Sequence, residues 1–524
     1  MSAAAPASRD ERFVLAVDLG TGGPKVGLVS LSGQLAWHDH IAVTTSYHGS
    51  ATAEQDAEEW WQIIAEATRR ALAEADVAAA CVVAVSVTGQ WASTVPVDAA
   101  GHPVAPCVMW MDTRGAPHAR STFGGPLAGY DSRAAVAWLR RSGAPPSLAG
   151  DDPIGHILHL ERDRPEVAGA ARWYLEPVDY LSMRFTGTAA ASPASMTAAW
   201  LTDTRRTPIT AYDRVLVHHS GINPAKLPPL HPTGSVIGTV QPEVAAQLGI
   251  PSSARVVTGT LDLHSGAVGS GAVYDYEPHM AISTTSWISC PVPAKKTDIL
   301  RQIATVPGLS EHGYLVVNNQ DTAGRCFEWL RDNILAWGPE PAGFAALDAL
   351  AASAPAGSGD VIFTPWLMGE HSPIADRDAR AGFHNLSLST TKAHLARAVL
   401  EGVAYNSRWL LAALDHFTRR RMDPIRLIGG AAQSDLWCQI VADVIDRRIE
   451  RVADPLHANL RGAGLFASLA LGEVRRDEIR GLVTVDTTFH PNPANRAVYD
   501  RLFAEFPRIY KANKAMFARL GRSR

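Results

Sequence analysis

Apolar, β-branched runs that end in glycine-rich turns recur along the chain, and they predict strands carrying polar residues to a shared edge. Phe13–Leu19 is one such run; a turn through Gly20, Thr21, Gly22 and Gly23 follows, then a second strand from Lys25, and Ser32-Gly33 turns into a third. Cys81–Thr88 has the unbroken apolar character of a strand buried on both faces, and Gly89, Gln90, Trp91, Ala92 and Ser93 lie just past its end. Thr94–Gly101 reads as a hairpin, and Trp110–Arg114 brings Asp112 and Arg114 out of another short strand. Arg255–Leu261 predicts a buried strand that delivers Asp262 to the start of a Gly-, Ala- and Ser-rich helix reaching Gly271. Met280–Cys290 repeats the layout of the first hairpin, with Thr284, Thr285 and Ser286 in its turn, and Arg426–Trp437 reads as strand, Gly429-Gly430 turn and helix.

Helical spacing accounts for much of the rest. Asp56–Glu59 reads as an N-cap with an acid at N3, ahead of Trp60, Trp61, Ile64, Ala67 and Ala71. His394–Tyr405 and Arg461–Gly472 are further helices, the second rich in small residues. From Asn495 to Leu520 an apolar stripe of Val498, Leu502, Phe503, Phe506, Ile509, Tyr510, Met516 and Phe517 predicts a core-facing helix. Between roughly residues 115 and 250 helices and loops alternate, and Ser142–Ser147 and Leu227–Leu230 read as surface connections.

With 524 residues the chain exceeds one ordinary core, so two large domains are expected. A net charge of -4 predicts no nucleic-acid partner, and the absence of a long apolar run predicts no membrane span. Cys81, Cys107, Cys290, Cys326 and Cys438 lack metal-ligand spacing and suit a reducing cytoplasm, and Met1–Asp10 has no apolar stretch of a secretory leader.

The turns carry the chemistry. Successive N–H groups over Gly20–Gly23 form a concavity suited to phosphate oxygens, Thr21 and Lys25 add a hydroxyl and a cation, and Asp18 beside them suits a divalent cation, directly or through water. Gly429 and Gly430 permit backbone approach to a ligand ahead of a helix N-terminus. Gln90, Trp91, Asp112 and Arg114 together suggest a polar pocket. Asp262, taken alone, reads either as a helix cap or as a carboxylate presented to a cleft.

In this order the segments resemble the FGGY carbohydrate kinases, the xylulokinase-like branch in particular. Asp18-Leu-Gly-Thr21 with Lys25 is similar to that family's first phosphate motif, Glu54–Trp61 to its EQDPEEWW helix start, and Gly259–Gly271 to the segment with its catalytic aspartate. Leu427–Ser434 is similar to its adenosine motif, and Ala381–Leu386 with His394–Glu401 to its C-terminal signature. The resemblance implies an α/β, two-domain actin/Hsp70-like (ribonuclease H-like) ATPase fold with a nucleotide and sugar cleft. The expected division is an N-terminal domain over residues 10–256, a C-terminal domain over 257–490, and an amphipathic helix over 491–524 packing on the body.

It also implies ATP and Mg²⁺ as cofactors and a small sugar or polyol as substrate, a ketopentose such as xylulose or a related ketose. Asp262 would be the catalytic base, needing no departure from a carboxylate's reference pKa of ~3.9 to accept a proton. Gly20, Thr21, Gly22, Lys25, Thr284, Thr285, Ser286, Gly429, Gly430, Ala431 and Ser434 would bind nucleotide. Asp18 would hold Mg²⁺ through water, and Gln90, Trp91, Ala92, Asp112 and Asp262 would bind substrate. Departures stand out: His156 and His159 where the family has Lys and Trp, Gly22 for Ser, Thr284 and Asn385 for Gly, Trp91-Ala92 for Met-His, and Leu263 for Asn. Crowding of the phosphates by Thr284 motivates an alternative, a nucleotide- or sugar-binding regulator on the same fold. Oligomeric state stays open, a homodimer included.

Overall fold

The computed structural model describes residues 11–49, 51–309, 312–335 and 343–521; the leader Met1–Asp10 lies outside them. In the N-terminal half, β1 (Phe13–Gly20) and β2 (Gly23–Ser30) form an antiparallel hairpin extended by β3 (Leu35–His40). Then come α1 (Ala57–Glu74), β4 (Val82–Gly89), α2 (Pro153–Asp163), α3 (Pro177–Thr186), β5 (Val236–Thr239), β6 (Arg255–Val257), β7 (Thr260–Leu261) and α4 (Asp262–Gly269). The sheet order is β5-β6-β4-β1-β2-β3, with β7 also pairing with β4.

The C-terminal half continues with β8 (His279–Ile282), β9 (Ser286–Ser289), α5 (Lys392–Thr418), β10 (Ile425–Ile428), α6 (Asp435–Ile445), β11 (Ile449–Val452), α7 (Ala458–Ala470), β12 (Val485–Phe489) and α8 (Arg496–Gly521). Its sheet runs β9-β8-β10-β11-β12. Both sheets share one plan: a hairpin, two further strands parallel to its first strand, and an antiparallel edge. The edge strand precedes its neighbour in the first half and follows it in the second, so the two halves are variants of one duplicated ribonuclease H-like unit, in the actin/Hsp70-like arrangement.

Period-two burial explains why β1 has no exposed face. Phe13, Leu15, Val17 and Leu19 cluster with Trp60, Trp61 and Ile64 of α1. On the other side Val14 meets Ala467 and Ala16 meets Leu460 and Ala463, all from α7. The helices at the centre are exchanged between halves: α7 follows a strand of the second sheet yet covers the first. Conversely, α4 follows β7 and sets Ala267 and Val268 beside Ala281, Ile428 and Val452 of the second sheet. Their backbones touch, since a Cβ on Gly269 would fall 1.7 Å from the Ala458 carbonyl oxygen and one on Gly462 1.9 Å from that of Ser265.

Some expectations change. The strand before Asp262 is interrupted at Thr258-Gly259, where a Cβ on Gly259 would lie 2.8 Å from Val178, so β6 and β7 are separate. Ser142, Gly143, Pro146, Leu227 and Pro228 are buried rather than on the surface, and Leu227 belongs to a cluster with Tyr174 and Ile222. Met516 is exposed, on the outer side of α8. Among the described residues no helix is long and apolar enough to cross a membrane, and no disulfide joins any of the five cysteines.

Candidate active site

The β1–β2 hairpin places Asp18 directly across from Lys25. Asp18 is buried, and Lys25 Nζ donates to its Oδ2 at 3.0 Å; the carboxylate's charge raises the Lys25 pKa against the opposing effect of burial. The turn between them is braced from outside, Gln55 Nε2 donating to the Thr21 carbonyl at 2.8 Å. A Cβ on Gly22 would meet nothing within 4 Å, so its departure from serine is sterically neutral.

Strand register brings the second acid to the same edge. Asp18 lies beside Thr88 of β4, and Thr260 lies beside Thr88 from the other flank, two residues before Asp262. Asp262 is the first residue of α4; the cap position belongs to Leu261, and Asp262 Oδ1 accepts from the Leu263 N–H at 2.8 Å. Ser265 Oγ donates to the Asp262 carbonyl at 3.1 Å and accepts from Thr88 Oγ1 at 2.9 Å, pinning the helix start to β4. Burial, with the Asp18 charge adding to it, raises the Asp262 pKa to about 7, against the Leu263 N–H and Lys25. The expected unshifted carboxylate is therefore corrected: the site holds Asp262 near the midpoint of its titration at neutral pH.

Across the cleft, the turn between β8 and β9 is held by Ser283 N–H to Thr285 O at 2.9 Å, Gly324 N–H to Ser283 O at 2.7 Å and Ala323 N–H to Thr284 O at 3.0 Å. Ser286 is buried as the first residue of β9; Thr284 is exposed and adopts no left-handed conformation, so its side chain strains nothing. Gly429 does require glycine. Its φ is +95°, and a Cβ there would lie 2.6 Å from both the Ile282 carbonyl oxygen and Ser283 Oγ, so the Gly-Gly turn abuts the hydroxyl-bearing turn. Gly430 has open space, Ala431 is buried, and Ser434 Oγ caps α6 by accepting from Trp437 N–H at 3.0 Å. Asn385 sits at φ +67°, a conformation asparagine tolerates in place of glycine.

The loops after β4 meet the first turn. Thr21 Oγ1 donates to Gln90 Oε1 at 3.1 Å and accepts from Trp110 Nε1 at 3.1 Å, while buried Gln90 Nε2 is left without a protein partner. An unpaired buried donor at this place is a ligand-facing signal. Trp91 packs against the cluster containing Leu261 and Leu263. Ala92 has φ +61°, and the next N–H, of Ser93, donates to Glu176 Oε2 at 3.3 Å; burial and Asp179 hold Glu176 well above the usual carboxyl range. Asp112 is fully buried. Its oxygens accept from Ala53 N–H at 2.9 Å and from the Arg114 guanidinium, which also reaches Glu54 Oε1 at 2.6 Å. Asp112 thus braces Arg114 and the loop. His156 is buried against Thr94 and the Asp112 carbonyl, its pKa lowered to about 4 by burial, while His159 and His118 converge on Asp163 at 2.8 and 2.7 Å.

Sequence reasoning missed Gln55, Trp110 and Glu176 as supports of the site. Gln55 and Trp110 stood within stretches already singled out; Glu176 had no signal, since only folding brings the start of α3 under Ala92.

Residues 13–269 match the N-terminal domain and residues 283–471 the C-terminal domain of the FGGY family of carbohydrate kinases. The chain belongs to that family and is an ATP-dependent carbohydrate kinase. It is 26% identical over 518 residues to a xylulose kinase of Staphylococcus epidermidis, covering 97% of this chain and 99% of that protein. It is also 25% identical over 468 residues to a gluconokinase of Bacillus subtilis, covering 88% of each. The crystal structure of xylulose kinase from Rhodospirillum rubrum superposes with a TM-score of 0.83 at 27% identity, over 97% of this chain and all of that one (100%).

Proposed function

We propose that the chain transfers the γ-phosphoryl group of ATP to a hydroxyl of a ketopentose such as xylulose or of a related ketose or polyol, with Asp262 accepting the hydroxyl proton. The observation that carries this reading is the convergence of Asp18 and Asp262 on one sheet edge, between two phosphate-type turns. Phosphoryl transfer depends chiefly on alignment and charge neutralisation. Backbone N–H groups of Gly20–Gly22 and of Thr284 and Thr285 would hold the phosphates, the Ser286 N–H being committed to the Gln320 carbonyl at 3.1 Å, and Gly429–Ala431 with Ser434 would pass beneath the nucleoside. The donor set suits Mg²⁺: Asp18 offers a hard carboxylate oxygen, and the ion when bound would neutralise phosphate charge. Lys25 Nζ, donating to Asp18 Oδ2, holds that carboxylate in place. Gln90, Trp91 and Ala92 would bind the acceptor, with Asp112 fixing Arg114 behind them.

The first sheet, which runs through β7, and the second sheet would form the two cleft walls, so the division expected at 256/257 moves past β7; α8 would pack outside, and the reaction would take place in the cytoplasm, where ATP is supplied. A regulator that has lost turnover would need a damaged site; Thr284 adopts no left-handed backbone, so the turn itself is not distorted by the replacement of glycine. The test is coupled ADP release from ATP and Mg²⁺ with a panel of ketoses and polyols. Acceptor-dependent release supports the proposal; nucleotide binding without release across the panel contradicts it.

A further inference from the structure

One side of the surroundings of Asp262 is apolar. Its neighbour Leu263 is buried in a cluster against which Trp91 and Trp287 pack. Trp287 follows Ser286 of the second turn, and its indole N–H points to His279 Nε2 at 3.4 Å, inside the protein; burial keeps His279 neutral, lowering its pKa to about 3. Trp110, 37% exposed beside the first turn, likewise commits its indole N–H to Thr21. Both tryptophans therefore turn their polar atoms away and leave hydrocarbon faces. Ala92 contributes a methyl group. The charged side chains of the same loops are satisfied by one another, Arg114 by Asp112 and Glu54. Among the described residues Gln90 Nε2, Thr260 Oγ1 and Ser286 Oγ are buried here without a partner, and of these Gln90 Nε2 belongs to the same loop as Trp91 and Ala92.

A hydroxyl moved from water against such a wall loses its hydrogen bonds, whereas a methyl or methylene group gains by leaving water. Resting on the kinase reading, we infer that the acceptor is a partly deoxygenated sugar or polyol, with a methyl or methylene group held against Leu263 and Trp91 beside the hydroxyl offered to Asp262. Gln90 then recognises one remaining hydroxyl. An apolar pocket discriminates against an added hydroxyl only moderately, about 10- to 100-fold.

The test compares kcat/KM, by ADP release with ATP and Mg²⁺, for D-xylulose and xylitol against each of their mono-deoxy counterparts. At least one mono-deoxy acceptor is expected to exceed its parent by about 10-fold or more. Leu263→Asn should reduce that ratio by about 10-fold and Leu263→Met should retain it. If Leu263→Asn does not fold, Trp91→Gln must reduce the ratio in its place. Preference for the fully hydroxylated parents, or a ratio unmoved in a folded variant, overturns the inference while leaving the kinase reading intact. Release with no acceptor of either kind contradicts both.

Discussion

Thr21 Oγ1 donates to Gln90 Oε1 at 3.1 Å, so one hydroxyl joins the first phosphate turn to the loop that follows β4. On the proposed assignment this pair would couple nucleotide and acceptor binding. Thr21→Val and Gln90→Ala should each lower kcat/KM, and in a double-mutant cycle their effects should fall short of additive by about 1 kcal/mol. Full additivity would show that the pair carries no coupling.

The raised pKa of Asp262 fixes the sign of the pH dependence. A base must be ionised, so kcat/KM should climb as pH rises through about 7 and level off above it. Folding retains a proton that the unfolded chain gives up near pH ~3.9, so ionising Asp262 costs stability over the window between those values. Asp262→Asn should consequently raise the unfolding midpoint relative to wild type at pH ~8 and leave it unchanged at pH ~3, below both pKa values. A flat rate profile between pH ~6 and ~8 would contradict the assignment.

Ala92 holds φ +61°, a conformation that costs a non-glycine residue roughly 1–2 kcal/mol. Ala92→Gly should relieve part of this and raise stability by about 1 kcal/mol, measured by denaturant unfolding. Destabilisation would show that the Ala92 methyl packs usefully, and would strengthen its place in the apolar wall.

Much of this was legible in the sequence because the chemistry sits in contiguous turns. The Gly20–Gly23, Thr284–Ser286 and Gly429–Gly430 turns each follow an apolar strand, and all three formed where the pattern put them. What stayed hidden depends on contacts remote in sequence. The buried carboxylate of Asp112 and the Glu176 support under Ala92 come from separate segments, and the shift of Asp262 arises from an enclosure that no local pattern encodes. The exchange of α4 and α7 was likewise invisible, although their glycines were not.

Those glycines make the helix pair intolerant of added atoms. Gly462→Ala would set a methyl 1.9 Å from the Ser265 carbonyl, so the backbones must separate. The expected cost is about 2–3 kcal/mol or more, read as a lowered unfolding midpoint. Because α4 begins at Asp262, the same change should lower kcat beyond the loss of folded protein. A neutral effect on both would contradict the packing described.

The central claim is that Asp262 takes the proton from the acceptor hydroxyl. The direct measurement is ADP release by Asp262→Asn alongside ATP binding by calorimetry. The account predicts a fall in kcat of about 10²–10⁴-fold with ATP affinity within a few-fold of wild type. Turnover near the wild-type rate in a variant that binds ATP normally would contradict it.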